Sequence, residues 1–173
     1  MSPEKRRPES SEAAPYYFRY IDRIASEDVL AVLERQLPET LAFYSRVPDE
    51  KSLEAYESGK WTIRQVVNHV TDCERLFVSR AFWFARGFEE PLPSFEQDAA
   101  AAAARANEFS WSAHVGEFES VRRATISFFR NLPAGSWDRR GVASGNPFTV
   151  RSLAYIVAGH LDHHAAVLRE RYL

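Results

Sequence analysis

Thr149 to Arg171, TVRSLAYIVAGHLDHHAAVLRER, reads as one long helix and holds three of the chain's five histidines. Successive residues of an α-helix turn by about 100°. With Leu153 set at zero, Ile156, Val157, Leu161, Val167 and Leu168 form an apolar arc centred near about +15°. His164 falls at about +20° and His160 at about −20°, so both point into whatever this helix packs against. His163 falls near about −80°, at the border of the arc. A single inward histidine usually just hydrogen-bonds a neighbour. Two at i and i+4 bring their imidazoles close enough to share a metal ion, and imidazole suits zinc, nickel, iron or copper. Two buried imidazoles without a metal would need separate polar partners inside an apolar core. The pair leaves both readings open and lacks a third ligand.

The chain has 173 residues, the size of one domain. Lys and Arg number 22 against 24 Asp and Glu, and no dense basic patch lies beyond the first few residues, which argues against a nucleic-acid partner. No apolar run approaches the roughly 20 residues of a membrane-spanning helix, so no membrane partner is expected. Residues 1–15, MSPEKRRPESSEAAP, have no apolar core of a secretory signal and read as a disordered polar tail; residues 16–173 form the domain. Cys73 is the only cysteine, which fits a reducing cytoplasm and a thiol packed as a small apolar side chain.

Three further helices are expected upstream. Ser26 precedes a stripe of Val29, Leu33, Leu37, Leu41 and Tyr44, with Pro38 predicting a kink or a break. Thr62-Ile63-Arg64-Gln65 has the capping-box pattern, with Trp61 placed as a hydrophobic staple, and opens a helix that runs to about Gly87. His69 lies on that helix about 90° from the centre of its apolar arc, a boundary position, with Leu76 and Arg80 on its side. Glu74 computes near the middle of the arc, as a rival ligand or a partner to one. Asp98 is placed to cap a third helix that runs from the alanines 99–104 through Trp111, Val115, Phe118, Val121, Thr125, Phe128 and Leu132, with His114 beside the stripe. Residues 133–147 carry turn chemistry, and no strand alternation or phosphate-binding glycine motif is present. Four amphipathic helices predict an all-α four-helix bundle.

The segment Tyr56 to Arg75, YESGKWTIRQVVNHVTDCER, with Arg80-Ala81, Pro91-Leu92-Pro93, Gly159-His160-Leu161-Asp162-His163-His164, Tyr20 and the final Arg171-Tyr172-Leu173, resembles the DinB-like superfamily over about residues 16 to 173. The resemblance implies an up-down-down-up bundle. It also implies one divalent metal, nickel or zinc first and iron or manganese next, on three histidines, one from the second helix and two spaced by four on the fourth. Those positions match His69, His160 and His164. Relatives include metal-dependent hydrolases and enzymes using a low-molecular-weight thiol such as bacillithiol or mycothiol, and they are often homodimers. Three imidazoles leave open coordination positions, which serve a hydrolase or a thiol S-transferase acting on a small-molecule substrate. A non-catalytic metal- or ligand-binding bundle is the alternative. No catalytic acid or base stands out, and His163, Asp72 and Glu74 carry no assigned role. The aromatics of Phe82-Trp83-Phe84 and Phe128-Phe129 point several ways around their helices, and the surplus over one core suggests a homodimer face.

Overall fold

Thr62 starts the longest helix by a full capping box: its hydroxyl accepts the Gln65 amide and the Gln65 side chain accepts the Thr62 amide. Thr149 and Ser152 repeat the device at the last helix. The structure is a computed structural model that describes residues 5–173. Its helices are α1 (Phe18–Ile21), α2 (Val29–Tyr44), α3 (Ile63–Ala85), α4 (Gln97–Ala104), α5 (Trp111–Arg130) and α6 (Val150–Arg171), with strands β1 (Arg140–Ala143) and β2 (Asn146–Thr149) between α5 and α6.

The bundle is α2, α3, α5 and α6, and its contacts give the direction of each helix. Tyr155 and Ala158 of α6 bond Ser26 and Gln36, and Arg169 lies over Phe43, so α2 and α6 run parallel. Arg64 reaches Phe109, Glu74 meets Arg122 and Phe82 meets Phe128, so α3 and α5 run parallel. Tyr172 bonds the Trp61 carbonyl while His69 meets His160, which sets α3 antiparallel to α6. Tyr44 packs on Trp111 while Gln36 meets Arg122, which sets α2 antiparallel to α5. The topology is up-down-down-up.

A polar cluster ties all four helices together inside the core. Arg122, with no exposed surface, donates to both carboxylate oxygens of Glu74 at 2.8 Å and to Gln36 Oε1 at 2.9 Å, and Gln36 donates to the Ala158 carbonyl at 3.0 Å. Glu74 therefore neutralises an arginine and is not a ligand at the histidines. On α5 the expected Trp111, Phe118 and Thr125 are buried, joined by His114, Arg122, Ile126 and Phe129, while Val115, Phe128 and Leu132 are only partly buried at the edge of the core. His114, expected at the surface or an interface, is buried, and its Nε2 sits 2.8 Å from the Ala106 carbonyl.

Other expectations need correction. Asp28, not Ser26, caps α2, which continues unbroken through Pro38. The expected third helix is two: α4 ends at Arg105, whose φ of 49° is left-handed, and α5 restarts where Ser110 accepts the Ala113 amide. Asp49 and the Tyr44 carbonyl hold Trp111 at that restart. Residues 140–149 form a hairpin turning on Ser144 (φ 51°) and Gly145 (φ 71°), the left-handed pair a two-residue turn requires. Residues 5–15 are not a loose tail. Glu12 is buried and accepts bonds from Thr149 Oγ1 at 2.7 Å, Arg151 at 2.9 Å and Arg6 at 2.6 Å, while Ala13 bridges to Phe148. Residues 1–4 of the expected tail lie outside the described residues. Of the surplus aromatics, Phe84 and Phe129 are core, while Phe82 stays exposed. Among the described residues, no helix is long and apolar enough to cross a membrane.

Candidate metal centre

The capping boxes fix the phase of α3 and α6, and with it where their histidines point. His69 sits two turns into α3, and His160 and His164 sit one turn apart on α6. Antiparallel packing brings them together: ring centroids lie 5.1 Å apart for His69 and His160, 5.0 Å for His69 and His164, and 4.5 Å for His160 and His164. One nitrogen from each falls within 4.8 Å of the others. His69, a boundary residue by periodicity, is buried because α6 covers that flank of α3.

Gly159 makes room for this arrangement. A Cβ there would lie 2.0 Å from the Tyr20 carbonyl oxygen, so only glycine lets α1 approach α6 so closely. The approach lays the Tyr20 ring edge-on to His160 at 5.2 Å and to His163 at 5.7 Å. Trp61 closes on His69 at 5.0 Å and Phe77 on His160 at 6.0 Å.

This aromatic wall sets the electrostatics. Burial pulls the His69 pKa down to about 4, against a weak opposing pull from Asp98. Burial, then the neighbouring imidazoles, lowers His164 to about 3 and takes His160 well below its ordinary value. All three rings are neutral at pH 7, the state in which imidazole donates to a metal. Among the described residues no protein group hydrogen-bonds a ring nitrogen of His160 or His164, and His69 meets only the Cys73 sulfur, at 3.6 Å. Three neutral, buried, convergent nitrogen donors fit a divalent ion of the zinc or nickel kind.

The sequence profile of the DinB superfamily matches residues 32–168, a span that includes all three histidines. The chain belongs to the DinB superfamily. Among solved structures, YfiT from Bacillus subtilis is similar over 98% of this chain and 97% of its own, with 19% identity and a TM-score of 0.68. That protein is described as "a probable metal-dependent hydrolase with an unusual four-helix bundle topology". At that identity the likeness speaks for the fold alone. No curated protein matches the chain.

Two cavities reach the histidines of this DinB-superfamily chain from different sides. One, of about 170 Å³, lies between α1, α3 and the hairpin and is lined by Tyr17, Tyr20, His69, Cys73, Arg80 and His160, among others. The second, of about 410 Å³, is lined by Lys60, Trp61, Asp98, His163, His164 and Tyr172, among others. Gln97, at the start of α4, borders both. Burial pushes the Cys73 thiol up to about 12, so it stays protonated. His163 is half-buried at the rim of the second cavity, with its pKa lowered by burial and by Arg23 and Arg19. Tyr17, Gln97 and Ser144 carried no signal in the sequence, because each reaches the cavities from a connecting segment or a helix end.

Proposed function

We propose that this chain is a metal-dependent enzyme acting on a small molecule, with one divalent ion, nickel or zinc first, held by His69, His160 and His164. The observation that carries the reading is the convergence of three buried, neutral imidazoles beside two cavities. An ion on three imidazoles supplies Lewis acidity that makes a water or a thiol nucleophilic near neutral pH. The chain does the rest. Tyr20, Trp61 and Phe77 fix the imidazole rings and keep bulk water from them. Burial pushes the Cys73 thiol, which touches His69, up to about 12.

Hydrolysis is the first reading, supported by the description of YfiT. Transfer of a low-molecular-weight thiol is the second, and the two separate cavities favour it, because a transferase must seat two reactants at one centre.

Elemental analysis of tag-free protein tests the metal, with His69→Ala, His160→Ala, His164→Ala as the control. We expect about one ion per chain, lost in the triple variant with helical content retained. A native chain that holds no ion after incubation with nickel, zinc or iron and desalting overturns the reading. Turnover of an ester or amide by the metal-loaded chain alone identifies the hydrolase, and turnover only with added thiol identifies the transferase. Turnover no faster than with free metal leaves a binding protein.

A further inference from the structure

Four arginines are buried, and three of them face an acid. Arg122 meets Glu74 at 2.8 Å, Arg151 meets Glu12 at 2.9 Å, and Arg64 meets Asp49 at 2.7 Å. Arg80 is the exception. It is 3% exposed, and its hydrogen bonds run to neutral groups, from Nη2 to the Pro93 carbonyl at 3.2 Å and the Ser144 hydroxyl at 2.8 Å, and to the Tyr17 side chain. Burial keeps the Tyr17 hydroxyl beside it in the neutral form. Among the described residues no carboxylate pairs with it. Burial pulls its pKa down, with Tyr17 opposing, yet a guanidinium remains charged at neutral pH.

A buried cation without an acidic partner is strongly unfavourable in an ordinary core. Here it lines the same cavity as His69 and His160, and no Asp or Glu lines that cavity. On α3, Arg80 follows His69 by eleven positions, about 20° around the helix and about 16 Å along it. Both side chains therefore look onto one channel from opposite ends. From the isolated guanidinium and the acid-free lining, we infer that Arg80 is the anion subsite of this cavity. It takes the carboxylate or phosphate of an elongated organic acid whose other end lies at the histidines. Ser144 and Pro93 hold the guanidinium in place, and its planar fork suits an oxyanion. The inference deepens the proposed function by naming the substrate class, and rests on that reading only for what happens at the far end of the ligand.

Calorimetric titration of the full chain with glutarate, inorganic phosphate and uncharged glutaramide tests it, for the native protein and Arg80→Met, each metal-free and with one equivalent of nickel. We expect an anion to bind the native chain even without metal, and to bind Arg80→Met about 10- to 100-fold more weakly, the loss of one charged hydrogen-bonded contact. Glutaramide should not discriminate between the two proteins. Whether glutarate or phosphate binds tighter identifies the anionic group. Equal anion binding by both proteins, or none by the native chain, overturns the subsite whether or not nickel binds. Failure of nickel to bind while the Arg80-dependent titration persists would overturn the metal reading alone. Should Arg80→Met not fold by circular dichroism, native crystals soaked in glutarate and in phosphate decide: an anion on Arg80 supports the subsite, and density elsewhere or none removes it.

Discussion

At the scale of single residues, the core is held by polar atoms as much as by apolar ones. Arg122 and Glu74 are 0% and 2% exposed, and with Gln36 and the Ala158 carbonyl they leave none of their buried polar atoms without a partner. Such a pair gives less net stability than its Coulomb energy suggests, because both charges lose their water. Breaking it is another matter. Glu74→Met should cost about 3–5 kcal/mol by stranding the guanidinium, while the double variant Glu74→Met, Arg122→Met should recover most of the loss. Urea denaturation of both variants checks this, and equal losses in the two would show that the packing matters and the charge does not. Periodicity placed Glu74 in the core but could not choose between a ligand and a partner, since the partner, Arg122, lies 48 positions away and carries no apolar mark of its own.

At the scale of elements, helix starts with a local chemical signature were legible. The box at Thr62 lies within four residues of sequence and appears as read, while Thr149 marked only the start of α6 and its box with Ser152 came from the structure. Elements fixed by distant contacts were not. The break at Arg105 depends on Asp49 and Tyr44 holding Trp111, and the hairpin is four residues a side with Gly141 and Pro147 diluting any alternation. Segment 5–15 looked like a tail because its composition is polar, yet its acid is buried against Arg151. That burial has a pH signature. Desolvation alone would raise the Glu12 pKa, but the bonds from the Thr149 hydroxyl, the Glu9 amide and Arg6, with the charge of Arg151, bring it below its ordinary value. A carboxyl with a depressed folded-state pKa adds stability that is full above the unfolded value, about 4.3, and fades as pH falls through the folded one. The native chain should therefore lose stability on acidification from pH 6 to 3.5 more steeply than Glu12→Gln does, by denaturant titration at each pH. Parallel slopes would mean that the fold does not lower the Glu12 pKa, and a shallower loss in the native chain would mean that the fold keeps the carboxyl neutral.

At the scale of the whole molecule, the candidate centre joins two helices that are far apart in sequence and adjacent in space. The two α6 histidines were legible because one helical face carries both. His69 needed the resemblance, because a boundary position says nothing about which neighbour will cover it. Tyr20, Gly159 and the aromatic wall follow from how α1 lies on α6, which only the assembled bundle reveals. That geometry links metal to global stability. An unfolded chain holds His69 ninety-one positions from His160 and offers no preformed site, so an ion that binds the fold alone stabilises it by mass action. Nickel at about 100 times its dissociation constant should add about 2.7 kcal/mol to the unfolding free energy of the native chain. Because the Arg122 cluster does not involve the histidines, and most of the apolar core lies away from them, His160→Ala should still unfold cooperatively, and it should show none of the nickel increment. If the variant gained as much as the native chain, the stabilising ion would be bound elsewhere. If the native chain without metal failed to unfold cooperatively, the ion would be part of the core itself and not a ligand of a finished bundle.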